Sequence, residues 1–398
     1  MKLLLNTESL IPPLTGIGNY TLKLLEHLLA EDIETIECFQ GARFCSARTA
    51  LAACTEASER YSTPAEGGEQ RSALQELQLH VRNTLKGCTF TYRARELLLD
   101  ARRRYRVGER RHYVYHEPNF ILKPHVGPSV ATIHDLSFLH YPQFHPRKRV
   151  EWITSRLPRT LERADCLITD SNVIRDELIS DFGVSPEKVR TVYLGAADSY
   201  RLQTAEQTLP TLQRYGLQHG RYVLFVGTLE PRKGVDTLIE AWCRQPEGLR
   251  KEYPLVLAGA PGWHNQVLTD RIRALQISHG LRQLSYVPSC DLPALYAGAA
   301  TFAYPSLYEG FGLPVLEAMQ SGVAVICTAE TSMAEFTQGS ALLTGRGDID
   351  HLAANLELLL SDEQTRAALA EAGRLRSQAF SWQRCAQETS AIYRAVGP

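Results

Sequence analysis

Five short apolar runs in the second half of the chain, YVLFVGT (222–228), PLVLAGA (254–260), LSYV (284–287), ATFAYP (300–305) and VAVICT (323–328), are separated by stretches with helical periodicity. Short apolar runs bounded by turn residues read as strands buried on both faces. Strands that alternate with helices pair in parallel, because each crossover needs about a helix's length of chain. The first half repeats the pattern. KLLL within Met1–Leu5 is followed by a glycine turn and an amphipathic helix, Tyr20–Leu29. HYVYHEPNF and Ser129–Ile133 follow as strands, then a helix over Lys148–Ala164, the strand CLITDSN, a helix over Val173–Phe182 capped by Ser171 or Asn172, and the strand KVRTVYLG ending at Gly195. The span from Cys38 to about Gly87 is poor in strand pattern, and Ser58–Gly68 reads as a mobile loop. Asp198–Gly220 is polar, contains Pro210 and reads as a linker with a short helix. The expectation is an α/β protein with two doubly wound halves, residues 1–198 and 199–378, a closing helix in 379–398 (Trp382–Val396), and a ligand cleft between the halves.

Composition narrows the function classes. The 398 residues suffice for two domains with substantial cores. A net charge of −1 with 44% hydrophobic and 22% charged residues gives no overall bias toward nucleic acid. The opening MKLLLNTE is too short in apolar residues for a signal-peptide core, and no window offers eighteen uninterrupted apolar residues, so a cytoplasmic location is expected. Nine scattered cysteines without a Cys-x-x-Cys pair read as reduced thiols, and the twelve histidines make no metal-spaced cluster, so no metal site is expected. One segment departs from neutrality. Arg93–Tyr113 carries eight arginines against Glu96, Asp100 and Glu109. It is either a solvated helix face or a surface for anionic lipid headgroups.

The richest stretch for chemistry is YPSLYEGFGLPVLEAM, from Tyr304 to Met319. It reads as a strand end, a double-glycine loop and a helix opening near Pro314, a residue favoured in the first helical turn. The amides of Phe311, Gly312 and Leu313 then lie at the helix N-terminus, where unpaired N–H groups and the macrodipole favour a phosphate. Gly310 and Gly312 let the backbone approach a ligand closely. Glu309 in the loop and Glu317 one turn into the helix supply two acceptors for hydroxyls. A polyhydroxyl ligand carrying phosphate, such as a sugar nucleotide, fits this set, although Glu317 alone also serves as an ordinary first-turn acid.

Other candidates lie at strand ends. GTLEPRKG places Arg232 and Lys233 before the helix Val235–Trp242, where adjacent cations neutralise a diphosphate or form an exposed basic turn. His134, at the tip of Ser129–Ile133, either donates to a ligand oxygen or satisfies a neighbouring backbone group. Gly16 and Gly18 form either a tight structural turn or a ligand loop, and Thr21 stands where a dinucleotide fingerprint needs a third glycine.

Six ordered stretches, TGIGNY, TIHDLSFLHYP, ITDSNVIRDEL, FVGTLEPRKG, YVPSCDLPALYAGA and PSLYEGFGLPVLEAM, resemble those of retaining glycosyltransferases of family 4, in particular bacterial mannosyl- and rhamnosyltransferases of surface-polysaccharide synthesis. The resemblance covers most of the chain and implies the GT-B architecture, two Rossmann-like domains facing a central cleft, with the acceptor on the first domain and a nucleoside-diphosphate sugar on the second. It implies that Glu317 binds the ribose and that Glu309, Gly310 and the Phe311–Leu313 amides hold the transferred sugar and distal phosphate. Lys233 and Arg232 would neutralise the diphosphate, Thr228 standing where the family often has arginine. His134 would contact the sugar, Gly16 and Gly18 would admit the diphosphate, and Tyr286, Val287 and Pro288 would flank the base. The expected reaction moves a hexose, best mannose or a deoxyhexose from a GDP-sugar, to a lipid-linked oligosaccharide hydroxyl, with no cofactor, no metal and no nucleic acid partner. The Arg93–Tyr113 segment would then meet the inner face of the cytoplasmic membrane. A nucleotide-sugar epimerase of the same fold and a non-catalytic sugar-nucleotide-binding subunit are the alternatives.

Overall fold

The computed structural model describes residues 1–12, 14–41, 43–62, 110–260, 266–284 and 287–397. Its strands are β1 (Lys2–Asn6), β2 (Thr35–Gln40), β3 (Arg43–Ser46), β4 (Val114–Glu117), β5 (Ser129–Ile133), β6 (Cys166–Thr169), β7 (Val189–Thr191), β8 (Val223–Val226), β9 (Leu255–Ala258), β10 (Leu281–Leu284), β11 (Thr301–Tyr304), β12 (Ala324–Thr328) and β13 (Leu342–Thr344). They form a seven-stranded sheet in the order β3-β2-β1-β4-β5-β6-β7 and a six-stranded sheet in the order β10-β9-β8-β11-β12-β13. Both are doubly wound. In the second sheet every pairing is parallel. In the first, β1 pairs in parallel with β2 and β4, and β3 is an antiparallel edge strand on β2.

β1, β8, β9, β11 and β12 are largely apolar because helices cover both faces of the sheets. Leu3, Leu4 and Leu5 of β1 are buried, as are Val223–Phe225, Leu255–Leu257 and Ala324–Cys327 in the second sheet. Trp242, on the helix Val235–Cys243, is also buried, and its indole donates to the His279 carbonyl at 3.0 Å.

By compactness the chain divides into one unit of Met1–Ile133, Leu157–Ile168 and Ala386–Pro398 and another of His134–Arg156 and Thr169–Cys385. The first division therefore falls at the tip of β5, immediately before His134. The last helix, Trp382–Val396, changes unit between Cys385 and Ala386. Within the first unit the buried Tyr393 hydroxyl meets His116 Nδ1 at 2.6 Å.

Several elements differ from the sequence expectation. The span from Cys38 holds the second half of β2 and all of β3, and a helix runs over Ala47–Ser62. Their strand character is masked by polar residues that find partners: Glu37 in β2 accepts from Arg110 Nε at 2.6 Å. Ser58–Ser62 are helical rather than loop, and the rest of the expected loop and most of the basic segment Arg93–Tyr113 lie outside the described residues. The first helix starts at Gly16, four residues early, because Thr15 caps it by accepting from the Gly18 amide. The expected helix Lys148–Ala164 is two, Arg147–Thr154 and Leu157–Arg163, the second carrying Pro158 in its first turn, where proline is tolerated. The strand expected at 284–287 is β10, ending at Leu284, and β13 is too short to stand out in a sequence. Among the described residues no helix is long and apolar enough to cross a membrane.

Candidate functional site

β11 ends in Tyr304, and the chain then turns through Pro305–Gly312 into the helix Leu313–Gln320, with Pro314 in its first turn. Gly312 caps this helix at φ 103°, a conformation that favours glycine, and a Cβ there would meet Met333 Cγ at 2.6 Å. The carbonyls of Glu309 and Phe311 accept from Ser332 Oγ at 2.7 and 3.0 Å, and the Phe311 ring stacks on Phe336 at 4.7 Å. Phe311 is thus a packing anchor for its own backbone. The amides of Phe311, Gly312 and Leu313 donate to no group among the described residues, which leaves the helix N-terminus open to an anion.

The turn after β8 packs against this loop. The amide of Leu307 donates to the Arg232 carbonyl at 2.8 Å, and a Cβ on Gly234 would sit 2.0 Å from the Pro305 oxygen. Lys233 Nζ donates to Glu309 Oε1 at 2.6 Å, and Ser306 Oγ donates to the same oxygen at 2.6 Å. Arg232 donates to the Tyr308 carbonyl at 2.7 Å and to Glu230 at 2.9 Å, and lies 3.9 Å from Glu309 Oε2. Burial by itself raises the Glu309 carboxyl, but Lys233 and then Arg232 hold it below the ordinary carboxylate range. Burial and the neighbouring Arg232 lower Lys233. Glu309, Asp135 and Glu230 keep Arg232 charged in spite of its burial. Thr228, on the same turn, is exposed.

Glu317, half-buried on the helix, has the opposite balance. Burial raises its carboxyl to about 7, and the nearby Tyr296 and Tyr200 hydroxyls offset only part of the shift. The folded chain therefore keeps a proton that the unfolded chain, with an ordinary value of 4.5, releases. Stability contributed by this group is complete below the unfolded value and is lost as pH rises through the folded one. Glu317→Gln is expected to be more stable than the parent at pH 8, by on the order of 1 to 3 kcal/mol, and so to unfold at a higher temperature. That advantage should vanish at pH 4. Thermal unfolding of the ligand-free chain at both pH values checks this, and an equal advantage at both refutes it.

His134, at the tip of β5, meets the same loop from the other side. A Cβ on Gly310 would lie 1.8 Å from the His134 carbonyl oxygen, and Ser171 Oγ donates to the Gly310 carbonyl at 2.8 Å. His134 Nδ1 is 2.7 Å from Asp170 Oδ2. The loop after β5, the turn after β6, the turn after β8 and the loop after β11 thus converge in one compact unit. His134, Arg232, Lys233, Glu309 and Gly310–Leu313 come together there, with Glu317 one turn along the helix. Val287 is buried, and Pro288 accepts from the Asp291 amide at 2.9 Å; Tyr286 lies outside the described residues. Gly16 and Gly18 belong to the other unit and differ from each other. A Cβ on Gly16 would meet nothing within 4 Å, whereas on Gly18 it would lie 2.9 Å from the Ser9 carbonyl oxygen. Gly18 is thus a packing requirement of the first helix.

Three acidic or phenolic groups escape a reading of the sequence. Asp170 is one. Tyr308 is another: its hydroxyl accepts from the Leu136 amide at 3.0 Å and donates to Glu177. In the first unit, Glu117 at the end of β4 accepts from Asn6 Nδ2 at 2.8 Å and Tyr115 at 2.6 Å, and burial raises it to about 7. None stands at a diagnostic spacing, so no local signal marks them.

Comparisons with known proteins agree across the whole chain. Residues 14–199 match the model of Glycosyltransferase Family 4, and residues 213–376 match that of Glycosyl transferases group 1. The chain is 34% identical over 397 residues to O-antigen chain mannosyltransferase B of Escherichia coli, covering 100% of both chains. Its fold is similar to that of Anabaena HepE, solved in complex with UDP and glucose, with a TM-score of 0.70 at 20% identity over 99% of this chain and 100% of that one. It is similar as well to WaaG, a glycosyltransferase involved in lipopolysaccharide biosynthesis, with a TM-score of 0.64 at 16% identity over 99% of each chain. Two doubly wound sheets, an open helix N-terminus beside paired acids and cations, and two family models spanning most of the sequence lead to one assignment: the chain belongs to the family 4 glycosyltransferases of the GT-B fold.

Proposed function

We propose that this glycosyltransferase moves mannose from GDP-mannose to a hydroxyl of a lipid-linked glycan during O-antigen synthesis, with the anomeric configuration of the donor retained and without a metal. The observation that carries this reading is the open Phe311–Leu313 amide cluster beside Lys233 and Glu309, an anion site next to a hydroxyl acceptor. The choice of mannose and of the O-antigen rests on the full-length similarity to the Escherichia coli mannosyltransferase. The UDP bound in the HepE structure supports a nucleotide in this fold.

In the reaction the bond between the anomeric carbon and the diphosphate oxygen breaks, and the acceptor oxygen bonds to that carbon on the same face. Lys233 and the helix N-terminus stabilise the departing diphosphate, with Arg232 holding the loop that carries Glu309. The leaving oxygen takes the acceptor's proton. Glu309 is no free nucleophile, because Lys233 and Ser306 already engage one of its oxygens. Glu317 receives the ribose hydroxyls. We place the acceptor on the first domain, residues 1–198, and the donor on residues 199–378, at the inner face of the cytoplasmic membrane with Arg93–Tyr113 toward the headgroups.

A panel of nucleotide sugars with a lipid-linked glycan acceptor, read by mass spectrometry and by NMR of the product linkage, tests the reading. One added hexose from GDP-mannose alone, in the donor's configuration, is the expected result. An inverted linkage rejects retention. Free sugar released without acceptor favours an epimerase, and turnover only with an added partner chain favours a non-catalytic subunit.

A further inference from the structure

We propose that Asp170 is a positioning residue for His134, holding its imidazole in the tautomer protonated at Nδ1 so that the lone pair lies on Nε2. The inference deepens the reading above, in which His134 contacts the donor sugar. It starts from geometry. His134 Nδ1 and Asp170 Oδ2 are 2.7 Å apart, and the residues are 8% and 3% exposed. Each is carried by a strand end, His134 by β5 and Asp170 by β6. Asp170 is followed directly by the helix Asn172–Phe182, whose cap Ser171 also holds the Gly310 carbonyl at 2.8 Å. One turn therefore fixes both the histidine ring and the glycine loop that crosses its backbone.

The second observation is a cost. Asp170 Oδ1 is buried and has no hydrogen-bond partner among the described residues. A half-satisfied buried carboxylate is unfavourable, and burial raises the Asp170 carboxyl despite the histidine beside it. A serine or asparagine would satisfy the His134 ring without leaving a buried charge. What a carboxylate adds is a fixed proton on Nδ1 and support for positive charge on the ring. Asp135, on the same loop, is the charged neighbour that acts on the pair, and Arg232 acts in turn on Asp135.

The test uses the full chain with labelled histidine, the His134 ring being assigned by its loss in His134→Ala. Ring nitrogen shifts should show the Nδ1–H tautomer in the parent and a change in Asp170→Asn. Turnover should fall about ten- to a hundredfold in Asp170→Asn with donor KM nearly unchanged. The pH limb belonging to His134 should move to lower pH, because loss of the carboxylate destabilises the charged ring. The double variant should be no slower than His134→Ala alone, since both remove one function. An Nε2–H tautomer in the parent overturns the proposal whether or not the variant folds. So do losses that multiply in the double variant, or a pH limb that stays in place. Wild-type turnover in His134→Ala sinks instead the role of His134 in the proposed reaction. Normal turnover in Asp170→Asn beside an impaired His134→Ala overturns the positioning alone.

Discussion

Gly310→Ala should reduce sugar transfer by about a hundredfold or more and lower stability by roughly 3 kcal/mol. The added methyl would stand 1.8 Å from the His134 carbonyl oxygen, 2.8 Å from its carbon and 3.1 Å from Asp135 Cβ. The first two obstacles are backbone and cannot rotate away. The loop cannot retreat easily either, because Ser171 holds the Gly310 carbonyl and Ser332 holds the carbonyls on both sides of it. Any relief must move the Phe311–Leu313 amides away from the site where the diphosphate is proposed to bind. Gly248→Ala is the control, since a Cβ there meets nothing within 4 Å, and its melting temperature should be equal or slightly higher. If Gly310→Ala keeps parental turnover and melting temperature, the tight crossing of the loop over His134 is wrong.

The second large effect is expected for Lys233→Ala. Loss of a charge-assisted contact is worth about 1.5 to 3 kcal/mol, so kcat/KM for the donor should fall from about tenfold to over a hundredfold. Stability should drop as well, by on the order of 2 kcal/mol at pH 7, because Glu309 is left buried with Ser306 and with Arg232 no nearer than 3.9 Å. The pH dependence separates this from general damage. Lys233 holds Glu309 below its ordinary value of 4.5, so the stability this pairing contributes is present above that pH and is lost as pH falls below it. The gap in melting temperature between parent and variant should therefore be wide at pH 7 and narrow toward pH 3. A constant gap would show that Lys233 acts through packing alone.

These two variants bear on different levels of information. Lys233, Glu309 and Glu317 are legible in the chain because each sits in a strand–turn–helix pattern, and such patterns are local. Gly310 is legible as a glycine, but the reason for it is not. Its neighbour is the His134 carbonyl, which no local pattern connects to it. The strands β2 and β3 were hidden for a related reason: Glu37 reads as polar and argues against a buried strand until Arg110 and Tyr113 are found beside it. Helix boundaries moved wherever a cap decided them, as Thr15 does for the first helix.

By itself the sequence determined the alternation of strands and helices, the two doubly wound sheets, the glycine loop after β11 and the acids and cations around it. Those follow from apolar periodicity and turn chemistry, which act over a few residues. Only the tertiary structure decided how the charges pair. Lys233 and Glu309 are 76 positions apart and share a 2.6 Å hydrogen bond, while His134 and Asp170 are 36 apart and share one of 2.7 Å. Parallel sheets bring the carboxyl ends of distant strands to one edge, so a residue's electrostatic partner is set by strand order rather than by spacing along the chain.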